Sequence, residues 1–340
     1  MKKQYLIITA LILFISTAFS QESSITPNSK SSFKPEGKPI LKVFANYNSN
    51  LGGNEHVDAF EAMQIKRAYL GYKATLSENY SVKITMDVGE NSGLYKTYLK
   101  IAELKYHKDN WTIHAGVIPT KQFKVQEKFW GYRYIRKSFQ DQYKYNASAD
   151  LGLSADYKIN KVLSVDAIIA NGLGYKLILP TGTYRGGLGL SVNYKPILFR
   201  LYYDISAKPS SNKQNIAAFL GYKFKDKFRI GAEYNYQLNN QFVEDHNLFG
   251  YSVYSTYIIN DKMEVFARYD NSQSNTIEDN SSQLEPLPWN INRDAQMGMI
   301  GLQYKLLKKV KVSANYRRVL SAVTNSESVN WLFLNLEFKL

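Results

Sequence analysis

Apolar and polar residues alternate with a period of two from Ile40 to the end of the chain. In an extended strand this period places successive side chains on opposite faces. The final segment shows one apolar face (Leu332, Leu334, Leu336, Phe338, Leu340) and one polar face (Asn335, Glu337, Lys339). Sixteen such segments are predicted as strands, near residues 40–50, 62–76, 80–88, 95–106, 111–119, 149–159, 163–171, 185–194, 198–205, 214–224, 228–237, 248–259, 263–270, 295–305, 310–318 and 330–340. The pattern indicates an all-β fold.

The connections between these strands alternate between short and long. Seven are tight turns, such as 77–79 and 260–262, and eight are mostly longer polar loops, such as 172–184 and 271–293. Short turns at one end, long loops at the other and an even number of antiparallel strands are typical of outer-membrane β-barrels. A soluble sandwich shows the same alternation along each strand, so the strands alone leave both architectures open.

Aromatic residues separate the two architectures. On the apolar face they form one band beside the short turns and a second band beside the long loops. Aromatic rings prefer the depth of the lipid headgroups, so two such bands predict a membrane-spanning surface. The first band includes Tyr106, Trp111, Tyr157, Tyr194 and Tyr257, and the second includes Tyr203, Tyr236, Tyr269 and Tyr316. We therefore predict a transmembrane antiparallel β-barrel of about sixteen strands.

The beginning of the chain predicts export. Residues 1–20 combine two lysines, an apolar run over 5–15 and an A-x-S cleavage site at 18–20, which is the pattern of a signal peptide. The run is shorter than the roughly 20 apolar residues of a spanning helix, which argues against an uncleaved anchor. Residues 21–39 are polar, contain three prolines and predict a flexible periplasmic segment, followed by the barrel domain over 40–340. We expect the protein in the outer membrane of a Gram-negative cell.

The charge narrows the class of partner. The formal net charge is +14, and it becomes +12 when Lys2 and Lys3 leave with the signal peptide. This excess favours anionic partners, namely small anionic solutes and the headgroups of outer-membrane lipid and lipopolysaccharide, while export argues against nucleic acid. The chain contains no cysteine, which excludes a disulfide scaffold. Its last strand ends on Phe338 and Leu340, which resembles the terminal signal that the barrel-assembly machinery reads.

The third long connection, residues 120–146, interrupts the strand pattern for longer than any other connection. Seven basic residues outnumber two acidic ones, and eight aromatic residues lie between them. A loop packed against the barrel wall can bury such rings and hold its cations toward the pore axis. We predict that this third extracellular loop folds inward and forms a positive constriction, with Arg133, Arg136 and Lys137 as the filter, supported by Lys121, Lys124 and Lys128. The alternative is that these cations point outward or bind lipopolysaccharide phosphates.

Four arginines are predicted to line the inner wall as a ladder: Arg200, Arg229, Arg268 and Arg317. They lie on alternate strands at different distances from their turns. Acidic residues occur on the same face in nearly equal number, so a cross-strand lattice of salt bridges is the alternative to solute binding. The pairing register, which the sequence does not define, decides between the two.

Three segments resemble the phosphate- and polyphosphate-selective porin O and P family. They are AYLGYKATLSENYSVKITMDV at 68–88, KFWGYRYIRKSFQDQYKYNASADLGLS at 128–154 and GAEYNYQ at 231–237. The resemblance covers nearly the whole mature chain. It implies a sixteen-stranded barrel, a homotrimer, an inward third loop and basic side chains along an anion path. Phosphate or polyphosphate is one solute it suggests, and a general diffusion porin is the alternative.

Two other classes are weaker. A non-transport barrel, acting as an adhesin or assembly partner, would depend on the polar loop 271–293. A hydrolase would need a triad, for which only His114 and Ser154 are candidates on neighbouring strands. The four histidines have no metal-ligand spacing, and no phosphate-binding glycine loop precedes a helix. We therefore expect no enzyme, with no catalytic residue, metal or cofactor.

Overall fold

The computed structural model describes residues 36–52, 62–91, 93–177, 182–209, 211–275, 294–321 and 328–340. Sixteen antiparallel strands in this part pair in chain order, and the first pairs with the last to close a barrel. The strands are β1 (Glu36–Asn50), β2 (Ala62–Thr75), β3 (Tyr80–Asn91), β4 (Leu94–Lys108), β5 (Trp111–Pro119), β6 (Ala149–Lys158), β7 (Leu163–Ala170), β8 (Tyr184–Tyr194), β9 (Ile197–Ala207), β10 (Asn212–Phe224), β11 (Phe228–Leu238), β12 (Leu248–Ile258), β13 (Met263–Ser274), β14 (Ala295–Leu307), β15 (Val310–Ser321) and β16 (Val329–Lys339).

The predicted all-β, sixteen-stranded barrel is confirmed. The predicted signal peptide, 1–20, lies outside the described residues, as do 21–35 of the predicted flexible segment. The remaining four residues of that segment belong to β1, which begins at Glu36 and not at 40. Residues 36–41 of β1 pair with β2 but not with β16, whose pairing begins at Lys42. Pro39 is tolerated there because its missing N–H breaks no hydrogen bond to β16.

The outward face is apolar, as the alternation predicts. Side chains such as Leu188, Leu220 and Ile300 are more than half exposed on this face. Aromatic pairs stand at both ends of the strands: Trp111 packs on Tyr157 beside the short turns, with ring centroids 4.5 Å apart. At the long-loop end the rings of Tyr251 and Tyr269 lie 6.0 Å apart. Both positions fit the depth of a membrane interface.

Two β-bulges interrupt the alternation on β2 and β4, and a third register shift lies at Leu306 of β14. On β2 the pairing with β1 shifts between Arg67 and Ile65, so Lys66 is an extra residue. On β4 the pairing with β3 shifts between Ile101 and Leu99, so Lys100 is an extra residue. A bulge of this kind adds one residue on one strand and redirects the side chains around it.

The connection from β5 to β6 contains two short helices, α1 (Lys124–Trp130) and α2 (Phe139–Gln142). A 3-10 helix (Asn240–Phe242) lies between β11 and β12. Among the described residues no helix is long and apolar enough to cross a membrane.

Candidate functional site

The third long connection lies against the inner wall of the barrel. α1 ends at Gly131, whose φ of +79° is left-handed and favours glycine, and the Gly131 N–H donates to the carbonyl of Glu127. This stop turns the chain back across the lumen. We call this connection loop 3 (120–148). Its residues contact strands β8 to β15, which we call the loop-bearing wall.

Inner-wall glycines make room for the rings of loop 3. A Cβ atom at Gly221 would lie 2.6 Å from the ring of Phe129, and one at Gly231 would lie 3.1 Å from the same ring. A Cβ atom at Gly250 would lie 2.5 Å from the ring of Phe139. These distances are shorter than ordinary carbon contacts, so the close approach requires glycine.

The largest buried cluster of the described residues lies inside the lumen. Trp130 and Tyr132 pack against Phe266 of β13, with ring centroids 5.9 and 4.7 Å away. The hydroxyl of Tyr132 donates to Glu264 at 2.6 Å, and that of Tyr134 donates to Gln303 at 3.0 Å. Other members come from the loop and from the wall alike: Phe44, Phe129, Ile135, Phe219, Tyr254, Met297 and Met299. Loop 3 is therefore held by a mixed apolar and hydrogen-bonded interface.

Each of the four wall arginines predicted as a ladder donates to a backbone carbonyl of loop 3. Arg200 donates to Lys121 at 2.9 Å and Arg229 to Trp130 at 3.3 Å. Arg268 donates to Lys137 at 2.8 Å and Arg317 to Ile135 at 2.9 Å. Arg200 also pairs with Asp166, and Arg268 with Asp270. The structure thus places these guanidinium groups where they fix the loop.

Arg133 and Arg136, two of the three filter residues, are paired with carboxylates. Arg133 contacts Glu127 at 2.6 Å and also contacts Asp141, and Arg136 lies 3.3 Å from Asp270.

Lys137 lies 3.5 Å from Asp141, and its side chain is 38% exposed. Burial lowers the pKa of the Lys137 ammonium, against the opposing effect of Asp141. Burial also acts to raise the pKa of Asp141, but Arg133 and Lys137 outweigh it and hold that pKa below its usual range. The Asp141 carboxylate is therefore ionised at neutral pH.

The supporting lysines lie apart from this group. Lys121 pairs with Asp156 of β6, and Lys128 is exposed at the end of α1. Lys124 is half-buried, and burial lowers the pKa of its ammonium. These three lysines do not line the cavity described next.

A cavity of about 240 Å³ lies between loop 3 and the strands β1 to β3. We call it the upper cavity, because it is nearer the long loops. It is lined by five basic side chains and one carboxylate, Glu90, together with Phe44, Gln64, Tyr69, Tyr134 and Gln142. The basic residues are Lys66, Arg67, Arg133, Arg136 and Lys137. All three predicted filter residues meet here, joined by two cations of β2.

A second cavity, of about 350 Å³, lies nearer the short turns on the same side of the barrel, and we call it the lower cavity. Lys38, Lys73, Lys83 and Lys105 line it, with Glu103 and His114. Lys38 is directly opposite Lys73, which is directly opposite Lys83, so like charges face each other across three strands. Such pairs are destabilising by themselves.

Lys100 of β4 and Asp87 of β3 lie on the same side of the barrel as the two cavities. Asp87 is fully buried, forms an ion pair with Arg67 at 2.9 Å, and accepts from Lys100 at 3.1 Å and from the hydroxyl of Tyr175 at 2.7 Å. We call strands β1 to β5 the open wall, because the two basic cavities lie along them.

Lys66 and Lys100 were not among the side chains predicted to face the lumen. In a regular strand the neighbour of an inward residue such as Arg67 faces outward. The bulges at Lys66 and Lys100 break this rule and let both lysines face the lumen. A signal was present: outward apolar residues jump by three, from Ile65 to Ala68 and from Leu99 to Ala102, where regular strands step by two.

The candidate triad does not form in the described structure. His114 and Ser154 are directly opposite each other on β5 and β6. The His114 ring lies between Glu103, 2.9 Å from Nδ1, and Asp156, 3.6 Å from Nε2. The hydroxyl of Ser154 makes no hydrogen bond among the described residues. Glu103 and Asp156 thus occupy both nitrogens of the ring.

Comparisons with known proteins show the fold. OprB of Pseudomonas putida superposes with a TM-score of 0.71 at 11% identity, covering 89% of this chain and 94% of that one. The anion-selective porin of Comamonas acidovorans gives 0.63 at 11% identity, covering 90% and 100%. A loop-deletion mutant of OmpT from Vibrio cholerae gives 0.62 at 12% identity, covering 90% and 99%. No family model and no curated protein matches the chain.

The chain therefore has the barrel fold of outer-membrane porins, and the predicted outer-membrane location is confirmed at the level of that fold. The resemblance to the phosphate- and polyphosphate-selective family is not shown, because no family model matches.

The expectation that the chain is not an enzyme requires correction. The similar structures include OmpT of Vibrio cholerae as well as porins, and likeness at 12% identity establishes the fold alone. The barrel and its neighbours leave enzymatic activity undecided, so the exclusion drawn from the histidine spacing is withdrawn. The histidine spacing, the weak triad and the missing phosphate-binding loop argued only against particular kinds of site, and a barrel wall can carry other chemistry.

Proposed function

We propose that the protein is a passive diffusion channel of the outer membrane that favours anions. One observation carries the proposal: five basic side chains and a single carboxylate surround the upper cavity beside loop 3. A loop held against the wall narrows the passage, and fixed cations in a narrow, low-dielectric passage attract anions more strongly than in bulk water.

The lower cavity supports the same direction of selectivity. Its four lysines face one glutamate and one histidine, and three of the lysines are in register across neighbouring strands. An anion between them would relieve the repulsion of like charges. The two cavities together give the open wall an excess of positive charge in both halves of the barrel.

Reversal potentials across a salt gradient test the proposal. Purified protein in a planar bilayer, with potassium chloride at unequal concentrations, should give a reversal potential of the sign set by chloride. A cation-selective current, or no current, would contradict the proposed function. Measurement at low salt makes the test sharpest because screening is then weakest.

Phosphate selectivity is the finer proposal. Arginine offers a planar fork suited to oxyanions. Three of the five cations that line the upper cavity are arginines: Arg67 of β2 and Arg133 and Arg136 of loop 3. If the channel is specific, phosphate added at low concentration reduces the chloride current. If it is a general anion channel, phosphate changes the current only in proportion to its share of the ions.

We also propose a homotrimer, on the basis of the porin resemblance. One structure of OmpT from Vibrio cholerae, similar to this chain with a TM-score of 0.56 at 12% identity, is described as a trimer form. Crosslinking in detergent should yield a band of three chains, and a single-chain band alone would remove the proposal.

A further inference from the structure

Lys66 enters the upper cavity because of the bulge in β2. Above the bulge Gln64 pairs with inward Asn46, and below it Arg67 pairs with inward Phe44. Ile65 stays on the outer face, 40% exposed. Lys66 is the extra residue between these two regular stretches, and its exposed side chain lines the cavity next to Arg67. Two consecutive cations thus reach the same space, which a regular strand does not allow.

The other four cations of the cavity are held by carboxylates. Arg67 pairs with Asp87, Arg136 with Asp270, and Arg133 and Lys137 share Asp141. Lys66 forms no ion pair and donates no hydrogen bond to a carboxylate within the described residues. Its ammonium group is therefore the cavity cation that faces the lumen without a carboxylate partner in that part of the chain.

We infer that Lys66 is the single cation of the upper cavity that contributes most to the anion preference of the channel. This inference rests on the proposed function and adds a residue that the basic loop does not contain. A cation already paired with a carboxylate presents a small net field to a passing ion, whereas an ammonium with no carboxylate beside it keeps its three N–H donors for that ion. A small inorganic anion gains most from the unpaired group.

The second bulge lysine provides a natural comparison. Lys100 reaches the lumen by the same device on β4, but it lies 3.1 Å from Asp87 and 3.4 Å from the hydroxyl of Tyr69. Its ammonium also lies 4.8 Å from the centre of the Tyr69 ring. One bulge lysine is thus held by a carboxylate and a tyrosine, and the other is not.

The experiment compares variants that remove one positive charge each. Lys66→Gln should lower the chloride-to-potassium permeability ratio by about threefold or more, and Lys137→Gln, in the same cavity but paired, by less than about twofold. Lys100→Gln should behave like Lys137→Gln, and Lys66→Arg should keep the ratio of the unmodified protein. Equal losses in Lys66→Gln and Lys137→Gln, or an unchanged ratio in Lys66→Gln, would overturn the inference.

A charge-restoration measurement covers the case in which Lys66→Gln fails to assemble. The chain has no cysteine, so Lys66→Cys introduces a single thiol. In the inserted channel, aminoethyl methanethiosulfonate attaches an ammonium group and methyl methanethiosulfonate attaches none. The first reagent should restore the anion preference and the second should not, and equal effects of the two reagents would contradict the role of the charge.

These outcomes separate the inference from the proposed function. If the unmodified channel shows no anion preference, the proposed function fails. If the unmodified channel prefers anions and Lys66→Gln keeps that preference, only the assignment to Lys66 fails.

Discussion

The two sides of the lumen use the same residue types differently. On the loop-bearing wall, four arginines donate to backbone carbonyls of loop 3 and hold it in place. On the open wall, lysines line two cavities and in places directly face one another. The difference lies in what stands opposite each cation. A carbonyl opposite the cation makes it a structural anchor, and open space opposite it leaves its charge available to a solute.

Removing the three cations of loop 3 that line the upper cavity should have the largest effect on selectivity. In a variant with Arg133→Ala, Arg136→Ala and Lys137→Ala, the carboxylates of Glu127 and Asp141 lose their guanidinium and ammonium partners. These freed carboxylates repel anions even while Lys66 is in place, so we expect the anion preference to fall by about tenfold or more, equivalent to ~1.4 kcal/mol, with conductance preserved or raised. Reversal potentials at low salt measure it.

The matched control removes three exposed cations near the short turns, Lys158, Lys161 and Lys225. The same change in net charge there should leave selectivity nearly unaltered. If the two triple variants behave alike, only total charge matters, and the distinction between the walls is wrong.

A larger side chain at an inner-wall glycine that contacts a ring of loop 3 should displace the loop from the wall. Gly221→Leu places a side chain where the ring of Phe129 lies, and overpacking of this kind costs about 1–3 kcal/mol. We expect a larger single-channel conductance, because loop 3 no longer narrows the lumen. Gly298→Leu is the control, since no atom lies within 4 Å of a Cβ built there. A Gly221→Leu channel with the original conductance would show that the loop does not set the pore size.

Removing one anchor should loosen loop 3 without changing selectivity. Arg317 donates to Ile135 and makes no contact with a carboxylate in the described structure. Arg317→Gln removes that bond, which is worth about 1.5–3 kcal/mol for a charged donor. We expect noisier open-channel current and an anion preference within about twofold of the original. A large loss of preference would mean that Arg317 contributes to the filter after all.

The smallest expected effect concerns the row of like charges in the lower cavity. Lys73 lies between Lys38 and Lys83. Lys73→Gln relieves both repulsions and should stabilise the barrel by about 0.2–1 kcal/mol. The temperature at which the folded band disappears in detergent electrophoresis should rise by a few degrees at low salt. The rise should vanish at high salt, where these charges are screened, and a fall at low salt would contradict the expected repulsion.

The strands and turns were predictable because the period of two is a local property of the sequence. The aromatic content of 120–146 correctly indicated contacts with the wall, since Phe129 and Trp130 are buried there. The partners of the wall arginines were not predictable, because a loop carbonyl has no sequence signature and lies far away in the chain. Phe219 and Phe266 are apolar residues on the otherwise polar, inward faces of their strands. Only the structure shows that they pack against Phe129 and Trp130 of loop 3.

The position of the bulge lysines was predictable in principle. The steps of three from Ile65 to Ala68 and from Leu99 to Ala102 mark the bulges in the sequence itself. What the sequence lacks is the ion pair of Lys100 with Asp87 and the absence of an ion pair to Lys66 among the described residues. That distinction depends on geometry across neighbouring strands.

The anchoring of loop 3 also sets an order of events during assembly. The loop precedes its four arginine donors in the chain by 79, 99, 131 and 182 residues. A chain that has formed only its first six strands holds none of these donors in place. The constriction is therefore completed late, after β15 joins the sheet, and an incomplete barrel has an unnarrowed lumen. Closing such distant contacts carries a large entropic cost, so folding of the loop and closure of the barrel should occur as one cooperative step.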